Sequence, residues 1–171
     1  AEISEAGTGD INGITFFGNG TKILFNKMDD LVLGDPNDSH TDGIQCWATP
    51  SKNSSSNVII RGNWINGPAQ SDPAYIHQGI MAEGPESEDG GGAGTGVSTN
   101  WLVADNYFKT YGNQCLKFDD IHDVNIMRNI FAGSATKIVE TGDFSTDVRY
   151  YNDNTLTGSY GSVRVDIIPN A

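Results

Sequence analysis

The sequence predicts an all-β fold, a single-stranded right-handed parallel β-helix of about six coils of roughly 23 residues, and three observations predict it. The first is internal repetition. "TKILFNKM" from Thr21, "VIIRGNWI" from Val58, "WLVADNYF" from Trp101, "VNIMRNIF" from Val124 and "RYYNDNTL" from Arg149 stack on one another. Each carries an Asn, at 26, 63, 106, 129 and 154. An apolar residue stands three places before it (Ile23, Ile60, Val103, Ile126, Tyr151) and another two places after (Met28, Ile65, Phe108, Phe131, Leu156). The second observation is a further strand after each Asn, led by Ile44, Ile80, Leu116, Ile138 and Val163. The third is composition: 21 glycines in 171 residues, with abundant Asn, Asp, Ser and Thr, call for many turns and short strands.

The elements follow in chain order. Residues 1–20 read as a partial first coil or a cap within a single domain, 1–171. The last two Asn intervals are 23 and 25 residues, whereas the first two, 37 and 43, are longer by a large loop. From the Asn to the following strand the spacings are 18, 17, 10, 9 and 9, so the first two clear coils carry an insertion of about eight residues in that turn. Residues 82–100, "AEGPESEDGGGAGTGVSTN", read as a long Gly-rich acidic loop. The repeated Asn is expected to cap a bend, because Asn tolerates the left-handed αL region and its amide can ladder with the Asn above and below. No helical cap is evident at either terminus, which suggests a fragment or an assembly in which neighbours cover the ends.

Charge excludes some partners. Ten Lys plus Arg against 22 Asp plus Glu give a net charge of −12, which repels phosphate backbones and anionic lipid. No run of eighteen apolar residues is present to span a bilayer, and the first ten residues lack the basic and apolar regions of a leader. Cys46 and Cys115 fit neither a metal cluster nor a disulfide framework, and Cys46 shares the parity of inward Ile44, so it reads as core. No cofactor is implied, and the acidic loop reads as a flexible solvated loop; the sharper alternative is a calcium-dependent loop using Glu86, Glu88 and Asp89, which lack the alternating spacing of a known calcium loop.

The candidate site lies in and after the inserted turns. "DSHTDGIQCW" puts Asp38, His40 and Asp42 before the strand at Ile44, with Asp42 at the solvent side of the turn. One and two coils on, Asp42 is matched by Gln78 and Gln114, and the column before it by His77 and Asn113. Gln45, Met81 and Lys117 point outward. Beside Trp47, Trp64, Tyr75 and Tyr107 these form a polar face with flat apolar surfaces, as a groove for a hydrated polysaccharide requires. The plainer reading makes Asp42 a turn residue bonding its own backbone, His40 and His77 exposed or structural, and Asp119 and Asp120 a solvated turn.

"HTDGIQCW...SSNVIIRGNWI" resembles the pectate-lyase-like β-helix superfamily, and locally the polygalacturonases. Asp42 matches that family's first carboxylate, which the resemblance makes an acid/base group of glycoside hydrolysis. Where the family's Asp-Asp pair and Gly-His-Gly should stand, this chain has His77–Gln78 and Asn113–Gln114–Cys115. "Asp38-Ser39-His40" also resembles the Asp-Pro-His motif of alginate epimerases and lyases, with Lys117 or Tyr75 completing the set.

The combined expectation is an extracellular or virion-associated, carbohydrate-facing module with degenerate catalysis, associating as a homotrimer as phage tailspikes do. A polysaccharide lyase, C5-epimerase or glycoside hydrolase acting on an acidic polysaccharide is the alternative. Its catalytic set would be His40, Asp42, His77 and Lys117, with Asp38, Gln45, Trp47, Tyr75, Gln78 and Gln114 binding substrate.

Overall fold

The computed structural model describes residues 12–29, 41–49, 51, 53–67, 78–87, 94–112, 114–142, 144–163 and 166–168. They form strands joined by turns, with no helix among the described residues. The strands recur in threes: β1 (Ile14–Thr15), β2 (Lys22–Leu24), β3 (Lys27–Asp29); β4 (Asp42–Trp47), β5 (Val58–Arg61), β6 (Trp64–Asn66); β7 (Gln78–Glu83), β8 (Ser98–Ala104), β9 (Tyr107–Thr110). After β10 (Gln114–Asp119) and β11 (Ile121–Met127) comes the long β12 (Ile130–Thr141), followed by β13 (Val148–Tyr151), β14 (Thr155–Leu156), β15 (Ser159–Val163) and β16 (Asp166–Ile168).

Every pairing among these strands is parallel and joins a strand to its counterpart one repeat away, an arrangement compatible with a parallel β-solenoid. Three ladders result. The first runs β1-β4-β7-β10-β12-β15, the second β2-β5-β8-β11-β13-β16 and the third β3-β6-β9-β12-β14; β12 serves two of them because its first half continues β9 and its second half continues β10.

Alternation of side chains places one apolar column per ladder in a shared core. Ile44, Ile80, Leu116 and Val139 align in the first, Ile23, Ile60, Val103, Ile126 and Tyr150 in the second, and Met28, Ile65, Phe108 and Phe131 in the third. All of these are buried, most of them completely. Each fully buried Ile, Leu or Phe contributes about 1.5–3 kcal/mol relative to exposure. Trp101 fills the space between ladders, its ring against Phe16 and Phe118 and its indole N–H donating to the Ser55 carbonyl at 2.8 Å. Cys46 and Cys115 are buried free thiols in this core, each pushed up to about 12 chiefly by burial.

Two apolar columns sit one residue from where periodicity puts them. Val139, not Ile138, aligns with Leu116, because β12 keeps one uniform register with β9 and β10, and Val139 stands as far beyond Phe131 as Leu116 does beyond Phe108; the irregularity lies on the other side, where the register with β15 shifts between Lys137 and Val139. Tyr150, not Tyr151, aligns with Ile126, so one more residue separates it from Asn154 than the earlier repeats have. The 82–100 loop is also shorter than expected, since β7 runs to Glu83 and β8 starts at Ser98.

The repeated Asn forms the expected ladder, but by a different backbone conformation. The positive φ lies on the preceding residue: Phe25 (55°), Gly62 (68°), Asp105 (56°) and Arg128 (53°). Each Asn then spends its whole amide on its neighbours. Asn106 Oδ1 accepts from the Asn63 backbone N–H at 2.9 Å and from Asn63 Nδ2 at 3.0 Å. Asn106 Nδ2 donates to Asn129 Oδ1 at 3.0 Å and to the Ile60 carbonyl at 2.9 Å. Asn63 and Asn129 repeat the pattern, and Asn26 and Asn154 end it.

Replacing Asn106 by Ala strands buried donors on Asn63 and removes two more bonds, so about 3–5 kcal/mol of stability is expected to go. Asn26→Ala, at the exposed end of the column, is expected to cost about 1 kcal/mol or less. Denaturant titration of both variants checks this; equal shifts in midpoint would mean that the ladder is not what holds the corner.

Candidate functional site

The first ladder presents an outward face. Residues alternating with the core column on β4, β7, β10 and β12 are Gln45, Met81, Lys117 and Glu140, aligned in register. Asp42, Gln78 and Gln114, the first residues of β4, β7 and β10, align with one another and with Lys137 in the second half of β12. The corner beneath them is tight. A Cβ on Gly43 would lie 2.7 Å from the Gly79 carbonyl oxygen and 2.8 Å from Ile65 Cγ2, and one on Gly79 would lie 2.7 Å from the Phe108 ring. The Gly of "DSHTDGIQCW" is therefore required because two ladders meet there.

Asp42 is placed differently from expectation. Instead of standing at the solvent side it is fully buried, its backbone N–H donating to Asn12 Oδ1 at 3.0 Å and its Oδ1 accepting the Gln78 backbone N–H at 3.1 Å. It acts in the first ladder as the repeated Asn does at its own corner. Asn12 Nδ2 also bonds Gln45 Oε1, which accounts for Gln45 being nearly buried although it faces outward.

Beyond Asp42 the polar row continues. Gln78 Nε2 donates to Gln114 Oε1 at 3.0 Å, Gln114 Nε2 donates to Glu140 Oε2, and Lys137 Nζ pairs with Glu140 Oε1. Lys117 faces Glu140 across the ladder. Burial raises the Glu140 carboxyl, but the bonds from Lys137 and Gln114 and the charges of Lys137 and Lys117 outweigh it and hold it below the ordinary Glu value. Lys137 and Glu140 are the site residues that sequence reading passes over. With the β12 column assigned to Ile138 they fall one place out of register; with Val139 they fall opposite Gln114 and Lys117.

Of the other site residues, Gln78 and Gln114 are brought together and Lys117 joins them through Glu140. Trp47 stands opposite Glu83 and meets Phe17 edge-on, ring centroids 4.8 Å apart. Trp64 and Tyr107 do not share this face: they lie on the third ladder, stacked on each other at 3.9 Å, so each ring covers the other. Asp38, His40, Tyr75 and His77 lie outside the described residues, as do Asn113, Glu88 and Asp89.

Asp119 and Asp120 are buried, not solvated. Asp119 Oδ2 accepts from the Ser87 hydroxyl at 2.6 Å; Asp120 Oδ2 accepts the Glu86 N–H at 2.7 Å, and Asp120 Oδ1 meets His122 Nε2 at 3.0 Å. A Cβ on Gly142 would lie 1.9 Å from Asp119 Oδ1, and one on Gly84 2.0 Å from the Asp120 carbonyl oxygen. These carboxylates tie the turn after β7 to the turn after β10. Among the described residues no group of three or more His, Cys, Asp or Glu is placed to hold a metal ion.

Because Glu140 is depressed, its ionisation stabilises the fold above the ordinary Glu value of 4.5, and that contribution is lost as pH falls through its lower folded value. The stability advantage of the native chain over Glu140→Gln is expected to be present at neutral pH and to shrink progressively in acid. Denaturant midpoints across an acid pH series measure it; a difference that does not change with pH would show that Lys137 and Lys117 do not bias this carboxyl.

Comparison with protein-family models, with curated proteins and with solved structures finds no match to this chain.

Proposed function

We propose that this chain is a short right-handed parallel β-helix of about six coils, of the pectate-lyase-like kind, that holds an acidic polysaccharide without cutting it, as an extracellular or virion-associated module. The observation that carries this reading is the row Gln78, Gln114, Glu140, Lys137 with Lys117 opposite Glu140. Two ammonium groups, those of Lys137 and Lys117, lie in and beside this row in a chain of net charge −12. Sugar carboxylates are drawn to such a spot, and amide groups spaced by one strand, about 4.8 Å, suit the hydroxyls of an extended chain.

Binding is favoured over cleavage by the state of the carboxyls. Inverting hydrolysis needs one protonated and one ionised carboxyl flanking the bond. Glu140 is held ionised by its cations, the reverse of what a general acid requires, and Asp42 is buried and bonded to the backbone of Gln78. Glu140 is therefore not poised to deliver a proton to a glycosidic oxygen. Association into a homotrimer belongs to the same proposal.

Calorimetric titration with uronate oligosaccharides and with neutral ones of equal length tests the reading. Uronates are expected to bind preferentially, and Lys117→Ala and Lys137→Ala each to weaken them about tenfold, equivalent to about 1.4 kcal/mol. Failure of the native chain to distinguish the two sugars would remove the proposal. Ultraviolet absorbance from a new double bond in the product would replace it with a lyase.

A further inference from the structure

Three hydroxyls enter the apolar core without a partner. Thr110 Oγ1, Tyr150 OH and Tyr160 OH are each enclosed, and none is in hydrogen-bonding geometry with a protein group. Thr110 is 0% exposed and Tyr150 6%, and the Tyr160 ring packs against the same core. Packing does not require these oxygens. The other members of the Tyr150 column, Ile23, Ile60, Val103 and Ile126, are aliphatic, and Val at 110 or Phe at 150 and 160 would fill the same space with no polar atom. Buried polar groups in folded proteins are paired as a rule, so three left over at one place call for a common partner.

The three do lie at one place. Tyr150 on β13 and Tyr160 on β15 both meet the Phe131 ring, at centroid distances of 6.1 and 6.3 Å, and Phe131 stacks on Phe108 at 5.6 Å. Thr110, on β9 with Phe108, is in register with Gly133, and Tyr160 is in register with Ala135, just beyond Gly133 on β12. The fully buried Cys115 thiol is a neighbour of all three. Burial pushes that thiol up to about 12, and the Thr110 hydroxyl lies close enough to oppose the rise in part, though not in bonding geometry. Burial likewise raises both phenols, Tyr150 up to about 12, and the charge that Cys115 would carry raises them further. The thiol and the phenols are therefore neutral at ordinary pH. An ion enclosed among them would go uncompensated, so the partner that fits is small, neutral and able both to donate and to accept.

We propose that Thr110, Tyr150 and Tyr160, beside the Cys115 thiol, form a binding site for a buried water molecule. Such a water makes about three hydrogen bonds, which the three hydroxyls supply, and the thiol adds a weak fourth. Thr110 belongs to the third ladder, Tyr150 to the second and Tyr160 to the first, so the water joins all three ladders across the core, between strands that do not pair with one another. The site stands on observations separate from the polysaccharide face, and either can fail without the other.

High-resolution crystal structures of the native chain and of single variants, read beside their thermal midpoints, test it. The native chain is expected to show an ordered water within about 3.2 Å of Thr110 Oγ1, Tyr150 OH and Tyr160 OH. Thr110→Val and Tyr150→Phe are each expected to lose that water and to melt at a lower temperature, because the hydroxyls that remain lose a partner. Thr110→Ser, which keeps the hydroxyl, is expected to retain the water. A native core with no water at this place would overturn the proposal, as would a water that stays at full occupancy in both Thr110→Val and Tyr150→Phe. Variants that melt higher than the native chain would overturn it as well, since removing a hydroxyl is stabilising only where that hydroxyl has no partner to lose.

Discussion

The column of Asn side chains at the second corner is the constraint on which the other features depend. A chain that turns from one ladder into the next loses strand pairing at the turn, and buried peptide groups there must find other partners. The Asn amide replaces them: two acceptances on Oδ1 and two donations from Nδ2 join each corner to the ones above and below. Fixing the corner fixes register on both sides of it. Because strand side chains alternate with a period of two, a slip of one residue would turn each apolar column outward. The chain departs from a uniform register in two places, between Lys137 and Val139 against β15 and by one extra residue before Asn154 at the end of the Asn column.

That division explains what was legible in the sequence. The Asn column and the column from Met28 to Phe131 could be read directly, because residues tied to the ladder keep a constant spacing from it. Tyr150 could not, since the extra residue before Asn154 has no compositional mark, and Val139 could not, since Ile138 beside it is equally apolar. The single-residue error at Val139 also hid Lys137 and Glu140, so a mistake in core register became a mistake about the site. The αL conformation was assigned to Asn by its general tolerance, yet the Asn side chain is fully used in the ladder, and the bend falls on the residue before. That residue points to solvent and is Phe, Gly, Asp or Arg in turn, with no shared signature to read.

Burial of acidic groups is a second thing that sequence conceals. An Asp in a turn suggests solvent, but in stacked repeats each turn is covered by the turns on either side. Asp42, Asp119 and Asp120 are consequently enclosed, and the cost of enclosing a carboxylate is offset by backbone N–H and hydroxyl donors directed at it. Exposed columns follow a related rule. Like charges one strand apart would repel, and the chain interleaves them: Asp105 sits between Arg61 and Arg128, and Asp123 meets Arg149 from the next repeat. Hydrogen bonding by Arg128 first, and then the charges of Arg128 and Arg61, outweigh burial and hold the Asp105 carboxyl below its usual value.

The same habit bears on what the polar face of the first ladder can do. Proton transfer requires a group whose two protonation states are close in energy at working pH. Bracing one repeat against the next works against this, because a side chain that accepts or donates along the column is committed to one state. Glu140 is committed in this way to its cations. What such columns do supply is a row of fixed donors and acceptors at a constant interval. An extended polymer with a regular repeat can engage several of them at once, and each engagement is then intramolecular with respect to the last, so weak individual contacts accumulate. That accumulation along regularly spaced columns is the physical basis of the polysaccharide-holding role proposed above.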